Sequence, residues 1–341
     1  MQPLAVFYAE GHEAHFEAYH PERPERLAAV RRAFIQLGLW EGALQVEPLA
    51  VSREVLQAVH SPAYLNNLEM VCRRGGHLDA DTYSTPASWE LALNSAGGAA
   101  RVAQAVWQGE AQRGFALTRP PGHHACHGQG MGFCLINNIA VAVEQLVQKE
   151  GAQRIAIVDL DLHHGNGTQD IFWTRGDVFY LSTHQSPFYP GSGGLGEIGA
   201  GPGQGKTANF PLPPGSGDQA FLTLMDELIL PLLERYQPEI VLVSYGFDPH
   251  WSDPLGQLAL SAAGYGHLVG RLAAWADDHC EGRLALVLEG GYSLEAATEC
   301  TRMVLSAMLD ISTEDALGPS PYPESQAWRI MFERARRLWD T

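Results

Sequence analysis

The sequence predicts a three-layer α/β/α sandwich around a mostly parallel central sheet, and three observations carry that expectation. Strand-like apolar runs at Leu4 to Tyr8, Gly114 to Thr118, Arg154 to Asp159, Val178 to Ser182, Ile240 to Tyr245 and Leu284 to Glu289 are separated by segments of helical length. Those runs are apolar almost throughout rather than alternating, which is what burial on both faces of a sheet requires. Four short chemical motifs sit at or directly after runs of this kind, where open α/β sheets bind ligands.

The helices are expected at Glu25 to Leu37, Ser61 to Arg74, Ala87 to Trp107, Asn138 to Lys149, Asp218 to Tyr236, Ala262 to Asp278 and Leu294 to Leu309. Pro24 suits the start of the first, because its fixed φ and missing donor cost nothing there. The stretch from Gly191 to Gly217 contains ten glycines together with Pro202, Pro211, Pro213 and Pro214, and reads as a long irregular loop. A basic amphipathic helix, Glu324 to Trp339, closes the chain after a proline-rich run, and its expected role is packing or contact between copies. With no internal repeat and no convincing linker, 1–341 reads as a single catalytic domain whose last part, 308–341, is a helical extension.

Composition excludes several function classes. Hydrophobic residues make up 45% and charged residues 18% of the 341 positions, a globular balance. The formal charge of −17 disfavours nucleic acid and anionic lipid and favours cationic partners. Cys72, Cys126, Cys134, Cys280 and Cys300 are scattered and form no Cys-x-x-Cys pair, so neither a disulfide framework nor a thiolate metal site is indicated. The reading is a cytoplasmic protein without an export leader or membrane span.

The chemistry-bearing segments are Arg119-Pro-Pro-Gly-His-His124, Asp159-Leu-Asp-Leu-His-His-Gly165, Gly246-Phe-Asp-Pro249 and Glu289-Gly-Gly-Tyr292. Asp161 and His163 are two apart, so an extended backbone would point both side chains to one side, and Asp248 follows another strand. Two carboxylates and one imidazole hold a divalent ion while leaving a place for water or substrate. Any one of them alone reads more simply as a cap or a satisfied interior group; their convergence is what favours a metal. His123 and His124, aimed by a rigid Pro-Pro-Gly turn, suit general acid–base work, with Asp159 and Asn166 placed to fix their tautomers. The Tyr292 phenol could donate to a developing oxyanion, although a tyrosine buried for its ring is an equal competitor when taken alone.

From about Leu4 to Leu309 these residues resemble the histone deacetylase superfamily, with its arginase-like α/β fold. The motifs above stand in family order with Gly132-Phe-Cys134, Asp253-Pro254 and His20-Pro-Glu-Arg-Pro-Glu-Arg26, and Asn166 within Gly-Asn-Gly-Thr-Gln169 is similar to class II and bacterial deacetylase-like amidohydrolases. The resemblance implies zinc on Asp161, His163 and Asp248, His123 paired with Asp159, and His124 near Asn166 as the proton shuttle. It implies potassium at the backbone carbonyls of Asp159, Asp161, His163 and Thr183 and the side chains of Asp159 and Ser182. Gly132, Phe133 and Tyr189 match the walls of a narrow channel for an acylated lysine stem. Leu255 stands where polyamine-selective relatives carry a glutamate.

The expected activity is therefore hydrolysis of acetylated lysine side chains, or similar small acetylated amines, to acetate and free amine. Acetylpolyamine hydrolysis is the alternative; a binuclear manganese ureohydrolase and a weakly active acyl-lysine binding module rank lower, given Gly165 and Tyr292. The donor set suits ferrous iron as well as zinc, and self-association stays open.

Overall fold

In the computed structural model, which describes residues 2–340, an eight-stranded parallel sheet runs in the order β2-β1-β5-β10-β9-β6-β7-β8. Its strands are β1 (Gln2–Tyr8), β2 (Leu44–Gln45), β5 (Ala111–Leu117), β6 (Ile155–Asp159), β7 (Val178–Gln185), β8 (Thr207–Leu212), β9 (Ile240–Tyr245) and β10 (Leu284–Leu288). A small antiparallel pair, β3 (Gly76–His77) and β4 (Tyr83–Ser84), lies apart. Every residue of β6, β9 and β10 is buried, as their unbroken apolar sequence demands.

The helices are α1 (Glu25–Gln36), α2 (Arg53–Val59), α3 (Pro62–Arg74), α4 (Ser88–Trp107), α5 (Asn138–Gln145), α6 (Asn166–Phe172), α7 (Asp218–Leu224), α8 (Leu230–Tyr236), α9 (Ala262–His279), α10 (Leu294–Met308) and α11 (Trp328–Trp339). On one side α4 packs on α5, β1 and β5; on the other α10 packs against α1 and α9. Helix starts follow side-chain chemistry: Ser52, Ser61, Asn137, Ser261 and Ser293 each accept a backbone N–H of the first turn. The segment read as one helix over Asp218 to Tyr236 is helical throughout, with a wider turn at Met225–Ile229.

Several expectations require correction. The glycine-rich 191–217 stretch is not all loop, because its 207–212 portion pairs with β7 as the sheet's edge strand. Pro211 is admissible there, since an edge strand can forgo a donor. The final helix starts at Trp328, not Glu324. Glu324 instead accepts the Gln219 and Ala220 backbone N–H groups with its two carboxylate oxygens, satisfying first-turn donors of α7. Through that contact and the buried Trp328 and Phe332, α11 is fixed against α7 and β8. Helices α2 and α6, too short to show a convincing period, lie where no helix was expected.

Strands β5, β10, β9, β6 and β7 are consecutive neighbours, and each releases one chemical segment at its carboxyl end. Residues 119–124, 289–292, 246–253, 159–166 and 186–189 therefore gather at one rim.

Candidate metal centre and active site

Asp161, His163 and Asp248 converge. A donor atom from each lies within 4.8 Å of the others, and both carboxylates are fully buried. The expected route to this geometry needs revision: β6 ends at Asp159, so Asp161 and His163 meet through a turn rather than along a strand. Asp161 Oδ1 accepts the His163 backbone N–H at 2.9 Å and lies 3.2 Å from its Nδ1. Asp248 Oδ1 accepts from Leu162 N at 3.0 Å.

Asp248 Oδ2 has no hydrogen-bond partner, although His163 Nδ1 stands 3.2 Å away without bonding geometry. An orphaned, fully buried carboxylate oxygen is costly. A cation shared with Asp161 and His163 would satisfy it. Two glycines make room: a Cβ on Gly246 would come within 2.0 Å of Asp161 Oδ2, and one on Gly290 within 2.5 Å of Asp248 Oδ2.

The two histidines of the Pro-Pro-Gly turn behave oppositely. His123 Nδ1 is 3.2 Å from Asp159 Oδ2 and its Nε2 is 3.6 Å from Asp161 Oδ1. Burial opposes its charge, but the Asp161 and Asp159 carboxylates outweigh that and raise it to about 10. His124 Nδ1 lies 2.7 Å from Asn166 Oδ1. Burial, reinforced by the neighbouring His123 and His163 charges, holds His124 well below the usual histidine range. With Nδ1–H donating to Asn166, the Nε2 lone pair of neutral His124 is left free. The Asn166 Nδ2 group faces Cys126 Sγ at 3.3 Å and Met131 Sδ at 3.4 Å, which fixes the amide orientation.

Glu289 secures the turn from behind: its Oε2 accepts the Gly122 and His123 backbone N–H groups at 2.7 and 3.0 Å. Burial pushes this carboxyl up to about 7. Burial likewise keeps the Tyr292 phenol well above its ordinary value, so it remains protonated. The Arg26 guanidinium lies 5.1 Å from its ring centroid and donates to the carbonyls of Glu289 and Gly291.

A cavity of about 440 Å³ leads to these groups, with His123, His124, His163, Gly290 and Tyr292 on its wall. Gly132, Phe133, Tyr189 and Leu255 line it, and so does Phe188, which was overlooked. Phe188 lies 5.5 Å from His163 between ring centroids, whereas Tyr189 stands 38% exposed at the mouth. The signal was present in consecutive aromatics before Pro190, but only one was assigned to the wall. His20, Glu17 and Asp81 also reach the cavity; His20 was noted only as part of a signature. Ser182 and Thr183 lie below, with Thr183 Oγ1 donating to the Asp159 carbonyl at 3.4 Å and Ser182 Oγ 2.9 Å from His184 Nδ1.

The fold and this centre describe an α/β protein with a buried Asp-His-Asp cluster, able to hold a metal ion, beneath a cavity. The Histone deacetylase domain model matches residues 20–308. A probable deacetylase of Archaeoglobus fulgidus is 42% identical over 95% of this chain and 91% of its own length. The histone deacetylase-like amidohydrolase of Pseudomonas aeruginosa is 38% identical over 85% of this chain and 77% of its own. Among solved structures, the HD domain of HDA15 superposes with a TM-score of 0.89 at 32% identity, covering 100% of this chain and 97% of that one. The chain belongs to the histone deacetylase family, and its activity is of the deacetylase and amidohydrolase type.

Proposed function

We propose that this protein is a zinc-dependent deacylase that hydrolyses the amide of an acetylated lysine side chain, or of a similar N-acetyl amine, to acetate and the free amine. The observation that carries the reading is the unpartnered Asp248 Oδ2 beside Asp161 and His163 at the foot of a cavity shared with His124 and Tyr292. Asp161, His163 and Asp248 would hold the ion; when bound it supplies Lewis acidity to a carbonyl and to water. Zinc and ferrous iron both suit the donor set.

The remaining groups divide the proton and charge work. Neutral His124 takes a proton from the attacking water through Nε2 and returns one to the departing amine, while Asn166 keeps its other nitrogen protonated. His123, held cationic by Asp159 and Asp161, adds positive charge where negative charge develops. Tyr292 donates to the oxyanion. Gly132, Phe133 and Tyr189 flank the methylene stem, and Leu255 adds apolar surface. A potassium ion would be held by the backbone carbonyls of Asp159, Asp161, His163 and Thr183 with the Asp159 and Ser182 side chains, as the family resemblance implies.

A small acetylated polyamine is the second reading, favoured by Glu17 and Asp81, two carboxylates on the cavity wall that suit a distal ammonium. Assay of the metal-loaded protein on acetyl-lysine peptides and acetylpolyamines decides between them. No acetate release from either class, with one zinc or iron bound per chain, would overturn the assignment.

A further inference from the structure

The Glu289-Gly-Gly-Tyr292 loop has little stiffness of its own: two glycines precede the tyrosine, and Gly291 sits at φ +111°, a backbone region other residues rarely enter. Its carbonyls are held on one side by Arg26. Its Gly290 N–H donates to Asp161, whereas the N–H groups of Tyr292 and the following Ser293 are held by a carboxylate to which the reaction scheme gives no role. Asp253 is 6% exposed, and its Oδ2 accepts from Tyr292 N at 2.6 Å and Ser293 N at 3.0 Å. Its other oxygen accepts from Leu255 N at 3.0 Å. One rigid three-atom group thus fixes the backbone of the phenol-bearing residue and the backbone of a second cavity-lining residue, Leu255. Ser293, beside it, caps α10 through Ala296 N, so the clamp is anchored to a fifteen-residue helix.

We propose that Asp253 is a positioning residue that sets the place of the Tyr292 hydroxyl relative to the substrate carbonyl and couples it to the wall at Leu255. Misplacement of a donor by about 1 Å costs on the order of 10²-fold in rate. An asparagine here cannot replace the carboxylate: its NH₂ must confront either Leu255 N–H or the Tyr292 and Ser293 pair, donor against donor. The loss falls on the transition state, where the phenol acts, and little on substrate affinity.

This inference rests on the role given to Tyr292 above, and the test separates the two. Asp253→Asn, Tyr292→Phe and the double variant are compared as metal-loaded proteins by single-turnover hydrolysis of an acetyl-lysine peptide at high enzyme concentration. The expected result is a fall of about 10- to 100-fold for Asp253→Asn with KM changed less than about threefold. Added to Tyr292→Phe it should cost less than about threefold more, since the group it positions is gone. Wild-type turnover in Tyr292→Phe would remove the role of the phenol itself. A crippled Tyr292→Phe alongside an unimpaired Asp253→Asn, or losses that multiply in the double variant, would overturn the positioning role alone. Should Asp253→Asn fail to fold, amide hydrogen exchange in the wild-type protein decides: slow exchange at Tyr292 and Ser293 supports the clamp, and exchange at the rate of an open loop overturns it.

Discussion

His60 gives the 126–137 loop, which carries Gly132 and Phe133 of the cavity wall, a dependence on acid that can be worked out in advance. Its side chain is fully buried, with Nδ1 2.8 Å from the Cys126 carbonyl and Nε2 accepting the Asn137 backbone N–H at 2.9 Å. Nδ1 therefore carries the single proton, and a second one would point at a donor. Burial holds this imidazole down to about 4 from the ordinary 6.5. The folded chain thus binds fewer protons than the unfolded chain between those values, so stability is complete above pH 6.5 and falls as pH drops toward 4. The gap corresponds to about 3 kcal/mol in full, and about 2 kcal/mol of it is lost between pH 7 and pH 5. Urea unfolding at both pH values, for wild type and His60→Gln, measures it. His15 and His250, also held near 4 with burial as the leading cause, contribute acid sensitivity of their own, so the quantity to read is the difference between the two proteins. The variant should lose about 2 kcal/mol less than wild type over that interval. Equal losses would show that His60 is charged in the folded state or unburied, and would refute the reasoning.

Three other expectations concern the centre itself. Tyr292→Phe should lower kcat by about 10²- to 10³-fold, as for loss of one oxyanion donor, and His124→Ala by about 10²- to 10⁴-fold, with melting temperatures near wild type; steady-state kinetics and thermal melts check both. Zinc in excess of its dissociation constant should raise the melting temperature of chelator-treated protein, by about 4 kcal/mol of stability at a thousandfold excess, and Asp248→Ala should abolish the rise. Metal uptake should release protons and tighten as pH rises toward 9: in the metal-free chain Asp161 and Asp248 raise His163 to about 9 against the effect of burial, and the ion must displace that proton. Calorimetry in buffers of different ionisation enthalpy counts the release, and zero protons near pH 7.5 would contradict it.

The central strands were legible because a strand buried on both faces needs an uninterrupted apolar run, and residues such as Ile240 to Tyr245 cannot easily do anything else. β8 was hidden because an edge strand has looser requirements: Thr207, Asn209 and Pro211 look like loop residues until β7 supplies the pairing. α6 was hidden for another reason. It has only seven residues, Asn166–Phe172, too few for a hydrophobic period to show. Asp161, His163 and Asp248 do come together after strand ends, but a turn rather than strand alternation brings Asp161 to His163. Asp253 stood in the sequence only as part of an Asp-Pro motif, with no role attached to it. Thirty-nine residues separate it from Tyr292, and its importance lies in which N–H groups its two oxygens accept. Motifs advertise the groups that touch substrate because chemistry restricts their type, whereas the groups that hold them still are restricted by geometry. In this fold Asp253 and Tyr292 follow the adjacent strands β9 and β10, and that adjacency lets one carboxylate hold both the backbone of Tyr292 and the cavity wall at Leu255.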